Sequence, residues 1–198
     1  MGLNLEYIKG QTPLDEEELE GLLIPSISTK KELDEFEQQN IEEAIQWLMA
    51  RSLTAEKIFT EKFILDIHKR MFGHVWKWAG KFRTTQKNLG SDYWQVPVDL
   101  RMLLDDVLLW HSEKTFESKE LAIRFKHRLV SIHCFSNGNG RHSRLMADVI
   151  IEKIFSQEVF SWGASNLSDN NEGREQYLRA VKLADNGKFL PLIEFAKS

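Results

Sequence analysis

From residue 29 onward, apolar positions fall mostly three and four apart, the spacing of one helix face. Leu33, Phe36, Ile41, Ala44, Ile45 and Leu48 predict a long helix opening near Thr29, with Trp47 at its flank. Phe63, Ile64, Ile67 and Met71 predict another after Thr60, with His68 near its inner face as a structural histidine. Leu100, Leu103, Leu104, Val107 and Leu108 predict a third, capped by Asp99. Leu121, Ala122, Phe125, Leu129 and Ile132 continue the pattern after Ser118, and Leu145, Met146, Val149, Ile150 and Ile154 follow. Tyr177, Leu178, Val181 and Leu183 predict a helix capped within Ser168-Asp169-Asn170-Asn171, and 188–197 a short final one. Upstream, Thr12-Pro13-Leu14-Asp15 reads as a cap followed by Pro at the first helical position, opening a short acidic helix that stops near Gly21.

The segment 76–98 breaks this pattern. It holds Gly80, Asn88-Leu89-Gly90-Ser91 and Pro97, and residues 82–86 and 93–96 predict two short strands about a Gly90 turn. The expected fold is therefore mostly α, with one small β-hairpin, in a single domain over 1–198.

Composition narrows the class. The chain has 198 residues, 42% of them hydrophobic and 28% charged, as in a soluble globular protein. A net charge of −4 argues against direct nucleic-acid binding. No apolar run approaches a membrane span, and the start lacks a basic-then-apolar leader pattern. Cys134 is the one cysteine, so no internal disulfide forms, and a cytoplasmic location is expected. As a nucleophile, Cys134 has no second histidine obviously paired with it.

The chemistry concentrates in Ile132-His133-Cys134-Phe135-Ser136-Asn137-Gly138-Asn139-Gly140-Arg141-His142-Ser143-Arg144. Ser136 to Gly140 is a dense turn signal between two helices. Backbone amides at the start of the second helix, with its dipole, favour an anion. Arg141 and Arg144 stand three apart, so one helix face carries both guanidiniums, each able to grip phosphate oxygens. His133 has the side chain suited to general-base work near neutral pH. Together these groups point to nucleotide phosphate chemistry.

This run resembles the signature of the Fic (Fido) family, H-x-F-x-(D/E)-G-N-G-R-x-x-R, at His133, Phe135, Gly138, Asn139, Gly140, Arg141 and Arg144. Asn137 departs at the acidic position. Gly80-Lys81-Phe82-Arg83-Thr84 resembles the start of the family's flap hairpin, which holds a target's backbone as an added strand. The opening, from Thr12-Pro13-Leu14 to Asn40-Ile41, resembles the Fic subgroup called mobile mystery protein B. The resemblance implies transfer of AMP from ATP to a Ser, Thr or Tyr hydroxyl of a target protein. It implies His133 as base, and Gly138, Asn139 and Gly140 as phosphate donors, Asn139 by its backbone and side chain. Arg141 would bind the β- and γ-phosphates and Arg144 the γ-phosphate. Phe135 would anchor the loop in the core. Phe82, Arg83 and Thr84 would form the target-binding flap. Asn137 stands where an acidic residue would ligate Mg²⁺, and its neutral oxygen leaves the ion mainly to the phosphates. Gly140, where the Doc branch has Lys, favours nucleotidyl over phosphate transfer. Transfer of another nucleotide or phosphate-containing group, and a non-catalytic nucleotide-binding module, stay open. So does the oligomeric state.

The resemblance also implies an inhibitory helix within residues 1–50. In many Fic proteins a motif (S/T)-x-x-x-E-(G/N) carries a Glu that pairs with the second motif arginine. Ser28-Thr29-Lys30-Lys31-Glu32 fits its first five places and Leu33 departs at the sixth. The same residues form a capping box, with Glu32 returning to the helix start. Glu35 and Glu37 lack Ser or Thr four residues before them. An inhibitory Glu32 predicts an ion pair with Arg144; a capping Glu32 predicts none.

Overall fold

In the computed structural model, residues 13–163 and 171–198 are described. The expected caps at Thr12 and within 168–170 lie outside them. The described chain runs through α1 (Glu16–Leu19), α2 (Lys30–Met49), α3 (Ala55–Ile58), α4 (Glu61–Phe72), α5 (Val96–Ser112), α6 (Ser118–Ile132) and α7 (Asn139–Val149). A π-helical turn (Ile150–Ile154) extends α7, and α8 (Asn171–Asp185) and α9 (Leu190–Lys197) close the fold. Among the described residues, no helix is long and apolar enough to cross a membrane.

Helix α6 is the axis. It packs against α5, α7 and α9, while α2 lies along α4 and α8 along α9. Leu121, Ala122, Ile123 and Phe125 of α6 are buried on more than one face, the mark of a helix surrounded by others. Ile64, Ile67 and Met71 of α4 and Leu100, Leu103 and Val107 of α5 complete the same core. Burial stabilises each large apolar side chain by about 1.5–3 kcal/mol. Even the polar residues of α6 are used. Lys126 donates to the Tyr177 hydroxyl, and His127 Nε2 lies 2.8 Å from Asp185 Oδ1, so both tie α6 to α8.

Three local expectations change. Helix α2 buries Leu33, Glu37, Asn40, Ile41, Ala44 and Leu48, while Phe36 and Ile45 are exposed. The inward stripe includes two polar residues because each has a fixed partner: Asn40 Oδ1 accepts from His74 N at 3.0 Å, and Glu37 Oε1 from Trp76 Nε1 at 2.6 Å. No strands form at 82–86 or 93–96. Backbone groups there bond to side chains and to the end of α6 rather than to each other. Helix α5 begins at Val96, so Asp99 stands in its first turn instead of at its cap, and Pro97 occupies a first-turn position that needs no amide.

Candidate active site

The loop between α6 and α7 is built largely from its own polar groups. His133 ends α6 in the left-handed region at φ 59°, which turns the chain sharply out of the helix. Gly138 opens α7 at φ 78°, and a Cβ there would come within 2.5 Å of the Phe72 ring. Both facts require glycine at that position. Asn139 clamps the turn between them: its Oδ1 accepts from Phe135 N at 2.9 Å and its Nδ2 donates to Phe135 O at 2.7 Å. The Asn139 side chain, expected to face phosphate, is thus spent on the loop.

Phe135 is fully buried and plugs the loop into the core, as expected. Its ring stacks on His68 at 3.6 Å and meets His142 edge-on at 5.1 Å. His68 is structural, and its tautomer follows from its partners. Gly80 N donates to Nδ1 at 3.0 Å, so Nε2 carries the proton and donates to Asn137 O at 3.0 Å. Burial beside His142 holds its pKa well below the usual value, which suits a ring that must stay neutral.

His133 is almost wholly buried. Burial, the Arg83 guanidinium and Lys87 push its pKa down from 6.5 to about 4, against a backbone hydrogen bond with Val130 that raises it. The imidazole is neutral at pH 7 and able to take a proton. Burial pushes the neighbouring Cys134 thiol up to about 12, so it is a packed thiol and no nucleophile.

The first α7 backbone bond outside the helix interior is His142 N to Gly138 O, at 2.9 Å. The amides of Asn139, Gly140 and Arg141 precede it and have no intrahelical acceptor. They form the anion-facing end of the helix. A Cβ on Gly140 would meet nothing nearer than Arg144 at 4.0 Å, so Gly140 keeps that space open without being conformationally required. Arg141 NH1 is bound to Glu37 Oε2 at 2.6 Å, and its guanidinium lies 4.8 Å over Phe72. Arg144 lies 5.5 Å from the Tyr177 ring centroid. Asn137 Oδ1 accepts from Gly138 N at 2.6 Å, and its backbone carbonyl accepts from His68 Nε2 at 3.0 Å. Among the described residues there is no cluster of three acidic, His or Cys groups fit for a metal. One neutral amide oxygen, already accepting, makes a poor Mg²⁺ ligand, so these residues do not form a protein-borne magnesium site.

The flap meets His133 from the opposite side. Arg83 is buried, and it bolts the flap down: Nε donates to His133 O at 2.6 Å, NH1 to Thr85 O at 2.9 Å, and NH2 to Ser91 O. Its own amide reaches Cys134 O at 3.0 Å, and Ser91 N reaches Ile132 O at 3.1 Å. Gly90, at φ 96°, passes so close that a Cβ would come within 2.5 Å of the His133 Cβ. Arg83 therefore holds the flap and is not placed to hold a target. Phe82 is half-buried and Thr84 exposed.

Glu32 is a cap. Its Oε2 accepts from Ser28 N, Thr29 N and the Ser28 hydroxyl at 2.9, 3.0 and 3.2 Å, and Thr29 Oγ1 accepts from Glu32 N at 3.2 Å. Neither Glu32 nor Ser28 reaches an arginine. The carboxylate of α2 that does is Glu37, and it reaches Arg141, not Arg144. Its signal was present in the chain: Leu33, Glu37, Asn40, Ile41, Ala44 and Leu48 share one helix stripe, with polar residues at two of its inward places. A search for apolar periodicity passes over them. Asp15, Glu18 and Lys87 were also missed, and only their charge pairing, invisible without the fold, marks them.

A left-handed histidine and a helix start with three amides lacking intrahelical acceptors, followed by two arginines, make up the candidate site of this helical domain. Residues 58–151 match the model of the Fic/DOC family. The chain is 30% identical over 170 residues to the protein adenylyltransferase Fic of Drosophila grimshawi, covering 83% of this chain and 33% of that protein. The Aedes aegypti protein of the same name is 28% identical over 170 residues, with 32% of it covered. The chain thus spans about a third of the length of the curated relatives it matches. Among solved structures, Fic-1 from C. elegans superposes with a TM-score of 0.66 at 25% identity, over 90% of this chain and 51% of that one. BepC from Bartonella tribocorum, with bound AMPPNP, has a TM-score of 0.67 at 17% identity, over 96% of this chain and 93% of that one, a likeness of fold.

Proposed function

We propose that this protein transfers AMP from ATP to the hydroxyl of a Ser, Thr or Tyr side chain on a target protein. The observation that carries this is His133: a neutral, buried imidazole under the flap, at the start of the loop that leads into α7. In this reading the target hydroxyl oxygen attacks the α-phosphorus and gives its proton to His133. The α–β bridging bond breaks, and pyrophosphate leaves. The amides at the start of α7 hold phosphate oxygens, and Arg141 and Arg144 offset charge on the departing group. The names of the relatives and the AMPPNP in BepC support ATP as donor. Mg²⁺ arrives with ATP as part of the substrate. The acceptor strand lies along the flap, whose exposed stretch includes Thr84. A cytoplasmic location belongs to the same reading, since ATP is the donor.

Restraint by the amino-terminal helix also belongs to this reading, through Glu37 in place of Glu32. Glu37 is buried and holds Arg141 by a charge-assisted bond, so Arg141 is not free for phosphate while the pair stands.

The test is purified protein with a cell lysate and ATP labelled at either the α- or the γ-phosphate. Label from α-ATP alone, lost in His133→Ala, is the expected result. Label from γ-ATP alone means phosphate transfer. No label from either, with retained nucleotide binding, means a binding module.

A further inference from the structure

Lys87 lies in the flap, yet its side chain is only 3% exposed. Its ammonium lies 2.6 Å from Glu18 Oε2, 2.8 Å from Asp15 Oδ2 and 3.5 Å from Pro13 O, which uses its three donors. Thr85 adds a bond to Asp15 Oδ2 at 2.9 Å. Asp15 N donates to Glu18 Oε2 at 2.8 Å, and Trp78 Nε1 to the Glu18 backbone carbonyl at 3.1 Å, so the turn that carries the two carboxylates is itself fixed. All of this ties the amino-terminal turn around α1 to the middle of the flap. The flap's two ends are tied elsewhere, to the backbone carbonyls of residues 132–134.

A buried ion pair is weak evidence for stability, because desolvation offsets the attraction. What it supplies is a single geometry. An apolar side chain at 87 could pack in several ways; an ammonium with three acceptors cannot. Three residues after Lys87, beside the end tied by Ser91, Gly90 crosses the His133 Cβ with no spare room. A shift of the flap by even a small step would open or close that contact.

We propose that Lys87, seated on Asp15 and Glu18, is a positioning residue of the site: it fixes residues 83–91 against His133, so the amino-terminal turn supports the acceptor-side wall. Its effect on transfer rests on the function proposed above; its effect on the flap does not. Lys87 also contributes to the low pKa of His133, in keeping with its place beside the base.

The experiment measures amide hydrogen exchange and binding of a nonhydrolysable ATP analogue in Lys87→Met, with Glu18→Gln as a milder variant should the first fold poorly. Expected is at least about a tenfold rise in exchange over residues 82–93 for Lys87→Met, less for Glu18→Gln, with exchange over 118–149 and analogue affinity unchanged. Unchanged flap exchange overturns the proposal. So does a rise spread equally over 118–149, which would make these residues general stabilisers. In the labelling assay, Lys87→Met raises half-saturation for the acceptor and leaves that for ATP in place; a parallel rise for ATP overturns the positioning role. If the wild type labels nothing, the transfer reading fails, while exchange still decides the flap.

Discussion

The loop and the flap both close on His133, yet they are held in opposite ways. The loop closes on itself: Asn139 bonds Phe135 four residues back, and Asn137 bonds the next amide. The flap has no comparable ladder of its own. Arg83 reaches His133, 50 residues away, and Lys87 reaches Asp15, 72 away. A loop bonded largely within itself, and seated on His68 and Phe72, behaves as a rigid cassette. A flap held by distant partners is open to control by them. The loop is therefore held mainly by local bonds, and the flap by bonds to distant residues.

The comparison breaks hardest at the residue both sides share. His133→Ala is expected to lower transfer by about two to four orders of magnitude. The loop and arginines remain, so nucleotide affinity and melting temperature stay near wild type. Labelling kinetics beside calorimetric binding check this, and equal rates would remove His133 from the role of base.

Next comes the cassette itself. Asn139→Ala leaves the buried N–H and C=O of Phe135 without their partner, at about 1–3 kcal/mol for each. Denaturant unfolding should show the loss, and nucleotide affinity should fall with it because the α7 amides lose their setting. A flap variant such as Lys87→Met should leave that affinity alone. Matching effects of the two variants on ATP would erase the distinction between the regions.

The loop was legible because its signals are short-range. Gly138 needs a left-handed backbone and the two arginines share a helix turn, while the Asn139 side chain, read as a phosphate donor, bonds Phe135 instead. Fold class followed from the same cause, since helix periodicity is local. Failures came where a distant partner decided the outcome. Glu37 and Asn40 turned inward, displacing Phe36 and Ile45, because Arg141, Trp76 and His74 wait there. The expected hairpin dissolved because Arg83 draws the Thr85, Ser91 and His133 carbonyls to one guanidinium. Pattern alone could not show that Arg83 points inward.

Acid separates the regions at a smaller scale. Burial lowers the pKa of His133 to about 4 and of His142 to about 3, from 6.5. Their depressed folded values mean that the unfolded chain binds the extra protons. Their stabilisation is complete above pH 6.5, declines as pH falls below it, and is gone below the folded values. At pH 5 each costs on the order of 2 kcal/mol relative to pH 7, from ~1.4 kcal/mol per pH unit. Asp15, which holds the flap from the turn at α1, behaves otherwise. Its hydrogen bond from Lys87 lowers its pKa below 3.8, so that contact persists until more acid conditions. Urea unfolding at pH 7 and 5 should show the loss, and His142→Gln should flatten it.

The smallest effects come from two glutamates on one helix. Glu37→Gln keeps an acceptor for Trp76 Nε1 but removes the charge that holds Arg141. If the pair restrains the site, labelling should rise about tenfold, or 1.4 kcal/mol at the transition state. Glu32→Gln tests the same helix five residues earlier. Its carboxylate is exposed, and its acceptors' work is local, on Ser28 and Thr29. Losing that charge should lower the melting temperature slightly and leave the labelling rate flat. The two variants must differ in kind, because one carboxylate faces the site and the other faces its own helix start. A rise in labelling from Glu32→Gln, or none from Glu37→Gln, would mean that the Glu37–Arg141 pair is a structural tie, and restraint would have to be sought in the flap.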